Sequence, residues 1–178
     1  MCQNIFNKKS LLFILLLLSD LCAANDSAVV EINTLVVAAS CTSETSGKTV
    51  ELPRVSSKDF HARRGTITGM KNIVIKLTDC TPMLDKISLS VSGLADEDLP
   101  SMFKNNAPSQ ESAVGVGLIL MDSERKVQFK PDGSVTKNFK PDAENNAVIG
   151  FMAGYIATRD EVIPGTFKSY VTLRYDYE

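Results

Sequence analysis

Few residues of this chain have the type and spacing that catalysis requires. His61 is the one histidine among 178 residues, so it is the single candidate for a histidine general base. No Gly-x-Ser-x-Gly elbow and no nucleophilic cysteine accompany it. The carboxylate pairs Asp96/Asp98 and Asp122/Glu124 lie in loop-like sequence, whereas a glycosidase needs two carboxyl groups facing each other across a large cleft. We therefore predict that the chain is not an enzyme, that it needs no cofactor, and that His61 is a loop residue.

The cysteines have a spacing that supports a prediction. Cys2 and Cys22 fall in the apolar N-terminal segment described next, which leaves Cys41 and Cys80 in the remaining chain. Two thiols in an exported protein indicate one disulfide bond. A zinc or copper centre needs more ligands than one His and two distant Cys, so we expect no metal site.

The first 24 residues have the pattern of a secretory signal peptide. Lys8-Lys9 precede the apolar run 11–18, and the small residues Ala23-Ala24 follow it. Eight apolar residues are too few to span about 30 Å of hydrocarbon, and no other stretch of the chain approaches the required length. We predict cleavage after Ala24, export, and no stable membrane anchor.

The composition indicates a folded domain that does not bind nucleic acid. Lys and Arg number 19 against 21 Asp and Glu, so the formal net charge is -2 and there is no basic field. With 22% charged and 44% hydrophobic residues the chain is too apolar for intrinsic disorder. Its length favours one domain after the signal peptide.

The hydrophobic periodicity is that of β-strands, bounded by Gly, Pro, Asn, Asp and Ser. The strand candidates are residues 29–32, 36–37, 49–52, 73–77, 87–91, 114–121, 126–129, 147–158 and 166–177. This pattern predicts an all-β sandwich. The tetrapeptide Phe-Lys-Pro-Asp occurs at 129–132 and again at 139–142, which we interpret as two Pro-Asp turns rather than as a duplicated binding loop.

Two segments alternate with particular regularity. Near the C-terminus one face carries the apolar residues Phe167, Val171, Leu173, Tyr175 and Tyr177. After the signal peptide, one face of the first segment carries Ala28, Val30, Ile32, Thr34 and Val36.

Across the whole chain after the signal peptide, the sequence resembles the pilin subunits of chaperone/usher fimbriae. The matching features, in order, are a signal peptide, a short alternating arm leading into Val36-Val37-Ala38-Ala39-Ser40-Cys41, the segment 49–53, Ile73-x-Ile75-x-Leu77-Thr78-Asp79-Cys80, the run 116–122, Phe151-x-Ala153-x-Tyr155, Pro164-Gly165, and the penultimate Tyr177. Each feature alone is weak. Their combined order and spacing make the resemblance specific.

The resemblance implies an incomplete immunoglobulin-like sandwich that lacks its last strand and is completed by donor-strand complementation. Residues 1–24 are then the signal peptide, residues 25–37 a donor arm, and residues 38–178 the pilin domain. The arm presents its face, Ala28 to Val36, to the groove of a neighbour. The chain's own groove has the edge Gly165, Phe167, Val171, Leu173, Tyr175 and Tyr177.

The implied partners are a periplasmic pilus chaperone, an outer-membrane usher and neighbouring fimbrial subunits. The implied location is a surface fimbrium reached through the periplasm, where the subunit contributes to cell adhesion. Only sixteen residues, 25–40, precede Cys41 after the predicted cleavage, which favours a minor or adaptor subunit. The alternatives are a single-domain receptor-binding adhesin and a major rod pilin. Thr34 departs from the family pattern, because many of these arms carry Gly there.

Overall fold

The computed structural model describes residues 40–43 and 49–178. In these ranges the chain forms seven β-strands and one turn of 3₁₀ helix, Ser57–Phe60, and every pairing between neighbouring strands is antiparallel. The strands are β1 (Thr42–Ser43), β2 (Ile67–Thr78), β3 (Ile87–Gly93), β4 (Val116–Asp122), β5 (Asp132–Phe139), β6 (Ala147–Ala157) and β7 (Val171–Tyr177). The all-β prediction is confirmed. The predicted signal peptide and donor arm lie outside the described residues.

The strands form two sheets that enclose one main core. The first sheet has the order β1-β2-β6-β4 and the second the order β5-β3-β7. Strand β3 shows why the layers pack, because Ile87, Leu89 and Val91 are fully buried while Ser88 and Ser90 lie on its other face. Successive side chains of a strand point to opposite faces, so this alternation turns one face of the second sheet towards the first.

The first sheet is also covered on part of its outer face. Met102, from the connection between β3 and β4, is buried in a small cluster with Ile119 of β4 and Ile156 of β6. The backbone of Phe103, one residue later, exchanges two hydrogen bonds with Leu118 of β4. Burial on both faces explains why β4 is a continuous apolar run in the sequence.

Two predicted strands take other structure, one observed strand was not predicted, and the starts of β2 and β7 also differ from the prediction. Residues 49–52 form no strand, and Lys126 to Phe129 make only an isolated bridge, between Gln128 and Met121. Strand β5 runs instead from Asp132, the last residue of the first Phe-Lys-Pro-Asp tetrapeptide, to Phe139, the first residue of the second, and the prediction missed it. The reason is a charged residue, Lys137, at an inward position, where the strand pattern calls for an apolar one.

The two tetrapeptides do contribute turns. The Gly133 amide donates a hydrogen bond to the Lys130 carbonyl, and the Asn145 amide donates to the Asp142 carbonyl. The chain therefore turns at the first Pro-Asp and again from the Asp of the second, and β5 lies between these turns.

The predicted disulfide bond is present. Cys41 and Cys80 are bonded, and they are 39 positions apart in the sequence. Cys80 is buried in the main core and Cys41 packs against it. The bond therefore ties the start of the described chain to the second residue after β2.

Replacing both Cys41 and Cys80 by serine is expected to lower the free energy of unfolding by about 4 kcal/mol, the loop-closure value for a crosslink of this separation. Denaturant unfolding of the oxidised protein and of the double variant measures the difference. A loss below about 1 kcal/mol would show that the crosslink does not limit the unfolded chain.

Candidate functional site

Strand β7 has one edge that no described residue pairs. Its other edge pairs with β3 over its whole length, from Val171 opposite Gly93 to Tyr177 opposite Ile87. A strand at a sheet edge presents unpaired N–H and C=O groups, which can accept a strand from another chain. The free edge of β7 is therefore a site for main-chain hydrogen bonding.

The inner face of β7 is apolar and incompletely covered. Leu173, Tyr175 and Tyr177 are half-buried against the main core, directly opposite β3 residues that are fully buried. Val171, on the same face, is 37% exposed. The inner face thus lacks the cover that a further strand would provide. We call the face of Val171, Leu173, Tyr175 and Tyr177, together with the free edge, the β7 groove.

The two tyrosines make the far end of the β7 groove a weakly solvated surface. The rings of Tyr175 and Tyr177 stack with centroids 6.5 Å apart and an interplanar angle of 24°. Burial, and to a smaller extent the neighbouring Tyr177, raise the pKa of Tyr175 to about 12. The Tyr175 hydroxyl is therefore neutral at physiological pH.

The segment before the 3₁₀ turn contributes further apolar cover. Leu52 is half-buried against the same core as the inner face of β7. This segment is held on β2, because the Lys71 ammonium donates a 2.7 Å hydrogen bond to the Glu51 carbonyl. The strand-like pattern at 49–52 therefore marks an apolar segment of the core surface, although these residues form no ladder.

A pocket of about 310 Å³, lined by apolar side chains together with Arg54 and Ser57, lies before the N-terminal end of β7. We call it the end pocket. Its lining includes Val55, Phe60, Val116, Tyr155 and Phe167. Tyr155 and Phe167 meet edge to face, with ring centroids 5.1 Å apart, and burial raises the pKa of Tyr155.

Gly165 forms part of the end pocket at a place with no room for a side chain. A Cβ on Gly165 would lie 2.5 Å from the carbonyl carbon of Ser112 and 2.7 Å from the carbonyl oxygen of Glu111. The adjacent Thr166 amide donates to the Glu111 carbonyl at 2.6 Å, and the Thr166 carbonyl accepts from Ala113 at 2.9 Å. These backbone contacts fix the pocket wall.

The substitution Gly165→Ala is expected to destabilise the protein by about 1–3 kcal/mol and to weaken binding of a strand in the groove, because the added methyl group forces two backbone segments apart. Thr166→Ala is the matched control, since the Thr166 side chain is exposed and its backbone hydrogen bonds remain. Thermal unfolding and strand-binding measurements on both variants check this. Equal stability of the two variants would contradict the close approach.

The structure thus brings the predicted groove residues to one edge of the molecule. Phe167 and Gly165 line the end pocket, and the four β7 residues form the groove itself. Their role in binding stays a prediction. The predicted donor residues, Ala28, Val30, Ile32, Thr34 and Val36, lie outside the described residues.

The candidates for catalysis have structural explanations. His61 is exposed and ends the 3₁₀ turn in the left-handed conformation, with φ 53°. Asp96 accepts hydrogen bonds from the amides of Asp98 and Leu99 within its own loop. Asp122 is buried in an ion pair with Lys137.

In residues 40–43 and 49–178 no three His, Cys, Asp or Glu side chains are grouped to hold a metal ion. None of the helices in this part of the chain has the length and apolar character that crossing a bilayer needs.

Sequence reasoning missed one wall of the end pocket. Val55 and Phe60 pack in a cluster with Val116 and Ala157. The spacing of Leu52, Val55 and Phe60 matches neither a strand nor a long helix. The available signal was the capping box formed by Ser56 and Asp59. The side chain of each of these residues accepts a hydrogen bond from a backbone amide at the other end of the box, and this arrangement places Phe60 inward.

Comparison with known sequences gives one family and one curated relative. The sequence model of the family described as "Fimbrial protein" matches residues 29–178. Long polar fimbria protein A of Salmonella typhimurium is 29% identical over 146 residues, which are 80% of this chain and 79% of that protein.

Two solved structures share the fold. The P pilus rod subunit PapA has a TM-score of 0.63 at 14% identity, with 79% of this chain and 99% of that chain covered. A structure of a chaperone-usher pilus, solved to explain rod uncoiling, has a TM-score of 0.63 at 15% identity and covers 86% of this chain and 97% of that chain. These likenesses confirm the predicted fold, an immunoglobulin-like sandwich without its last strand.

Proposed function

The chain belongs to the fimbrial protein family, and from this premise we propose that it is a structural subunit of a chaperone/usher fimbria whose β7 groove receives a strand from another protein. The observation that carries the proposal is the apolar face of Leu173, Tyr175 and Tyr177, half-buried beside an edge that no described residue pairs. An edge with this apolar flank is an aggregation hazard unless a partner covers it.

The energetics favour a long-lived contact. An inserted strand would cover four apolar side chains of β7, each worth about 1.5–3 kcal/mol when fully buried, although here part of that burial is already present. It would add a row of main-chain hydrogen bonds worth about 0.5–1.5 kcal/mol each. Strand addition of this kind obtains its affinity from the main chain and its specificity from alternate side chains.

Two partners would occupy the groove in turn. A periplasmic pilus chaperone first supplies a strand, which keeps the new subunit folded. At the outer-membrane usher the arm of another subunit replaces it. By the same exchange, residues 25–37 of this chain would enter the groove of a neighbour, with Ala28, Val30, Ile32, Thr34 and Val36 facing inward. The proposed location is the surface fimbrium, reached through the periplasm after removal of residues 1–24.

The position proposed for the chain within the fimbria is that of a minor or adaptor subunit. The reason is the short stretch before the disulfide, since only sixteen residues, 25–40, precede Cys41 after the predicted cleavage. Immunogold labelling of intact fimbriae tests this position. Label at the tip or at isolated points supports it, and continuous label along the shaft would identify the chain as the rod subunit instead.

Co-expression tests the main proposal. The full chain should accumulate in the periplasm in soluble form only when the chaperone of the same fimbria is present, and the two should purify as a 1:1 complex. A chain that is monomeric, soluble and protease-resistant without any strand donor would contradict the proposal, and it would favour a self-sufficient domain such as a single-domain adhesin.

A further inference from the structure

The second sheet has another edge, β5, at its opposite side from β7. The sheet order is β5-β3-β7, and no described strand pairs with the outer side of β5. Strand β5 has eight residues, one more than β7. An exposed edge of this length is expected to accept strands as readily as β7 unless something prevents it.

The inner faces of the two edges differ in charge. Lys137 on β5 pairs with Leu89 of β3, and Tyr175 on β7 pairs with the same Leu89 from the other side. Since Leu89 is fully buried, both side chains lie on the inward face of the sheet. The inward position is therefore charged on one edge and aromatic on the other.

Lys137 is held inward by a buried carboxylate. Its ammonium lies 2.5 Å from Oδ2 of Asp122, whose side chain is 1% exposed. The other oxygen, Oδ1, accepts hydrogen bonds from the amides of Lys126 at 2.7 Å and Val127 at 2.9 Å. Burial opposes ionisation of Asp122, but these three hydrogen bonds outweigh it and lower the pKa of the carboxyl group. The pair joins β4 of the first sheet to β5 of the second.

The segment that precedes β5 covers the same side of the sandwich as the Asp122–Lys137 pair. Residues 127–129 run along β4, with the Phe129 amide donating to the Leu120 carbonyl and the Asp122 amide donating to the Val127 carbonyl, both at 2.9 Å. Phe129 is almost fully buried. The two Phe-Lys-Pro-Asp tetrapeptides then place Pro131 immediately before β5 and Pro141 shortly after it. Proline donates no amide hydrogen bond, so both ends of β5 resist extension of a ladder.

We propose that the inward-pointing Lys137, held by Asp122, blocks strand addition at β5 and thereby directs an incoming strand to β7. A strand docked beside β5 would have to place an apolar inner side chain next to the ammonium and remove its remaining solvent contact, which is 22% of the side chain. On the inward face of β7 a docked strand meets only apolar and aromatic side chains. The inference rests on the proposed function for its consequence, because a second sheet that accepts a strand only at β7 lets subunits join in a linear order.

The double variant Asp122→Asn with Lys137→Gln removes both charges and keeps a hydrogen bond between the two side chains. Asn retains the oxygen that accepts from Lys126 and Val127. Lys137→Arg is the matched control, because it keeps the inward charge. Each full chain is co-expressed with the pilus chaperone, and native mass spectrometry counts the partners while amide hydrogen exchange follows β5 and β7.

For the wild type and the Lys137→Arg variant we expect one chaperone per chain and fast exchange at the outer edge of β5. For the charge-free variant we expect either a second chaperone or chain-to-chain dimers, with a dimer dissociation constant at least tenfold lower and with protection appearing at β5. A folded charge-free variant that behaves like the wild type would overturn the proposal.

If the charge-free variant fails to fold, the wild type still tests the inference. Raising the chaperone concentration should protect β7 amides alone, and added protection at β5 would overturn the proposal. The two proposals fail in different ways. Absence of any chaperone complex with the wild type would remove the proposed function, whereas self-association of the charge-free chain through β5 would still support the role of Lys137.

Discussion

Replacing Leu173 by aspartate is expected to abolish strand binding at the β7 groove. Leu173 lies opposite the fully buried Val91 and packs against the main core, so a partner strand would bury the new carboxylate without a counter-charge. A buried unpaired charge costs about 3–5 kcal/mol, which corresponds to a loss of affinity of at least about 100-fold. Recovery of the chaperone complex from periplasmic extracts measures the effect.

Thr172→Asp is the matched control for this variant. Thr172 is the preceding residue of the same strand, pairs with Ser92 of β3, and is exposed on the outer face. It introduces the same charge into β7 without placing it in the groove. We expect near-normal recovery of its chaperone complex. Equal losses from the two variants would mean that the inward and outward faces of β7 are assigned wrongly.

The alternation of apolar and polar residues in β7 could be predicted because it depends only on which face of the strand is turned to the core. Leu173, Tyr175 and Tyr177 all face the core, and nothing interrupts their period of two. The start of the strand was harder to predict. The structure begins β7 at Val171 rather than at Thr166, because Thr166 forms backbone hydrogen bonds with Glu111 and Ala113 instead of with β3. Such long-range pairing leaves no local pattern in the sequence.

Strand β2 shows a second limit of periodicity. It begins at Ile67, six residues before the predicted start at Ile73, and its register with β6 shifts between Thr68 and Lys71. Gly69, inside this irregularity, has φ 62°, a left-handed conformation that glycine adopts readily. A bulge of this kind breaks the alternation, so the residues before it do not have the pattern of a strand.

Strand β5 was missed because its inward face is not uniformly apolar. Its inward positions are Val135, Lys137 and Phe139, and the central charge removes the hydrophobic alternation. The same lysine is the residue that we propose blocks this edge. Hydrophobic alternation identifies β7, the edge strand that is open to a partner. It does not identify β5, because the inward charge that we propose blocks this edge also interrupts the alternation.

The complementary prediction concerns the donor arm. A peptide of residues 25–37 is expected to bind the groove of an acceptor subunit of the same fimbria. Ile32→Asp in this peptide should weaken binding by at least about 100-fold, because the arm's central inward side chain would become a buried unpaired charge. Glu31→Lys should change affinity only a few-fold, because position 31 faces outward in this register. Fluorescence anisotropy of labelled peptides measures both.

The two substitutions test the register of the arm, because positions 31 and 32 are adjacent and must lie on opposite faces of any strand. A reversed result, with Glu31→Lys the more damaging change, would shift the register by one residue and turn Ala28, Val30 and Val36 outward. Equal effects would show that the arm does not bind as a strand. If neither the unmodified peptide nor its variants bind any subunit of the fimbria, the chain receives a strand without donating one. The adaptor position would then be untenable, since an adaptor must join a subunit on each side.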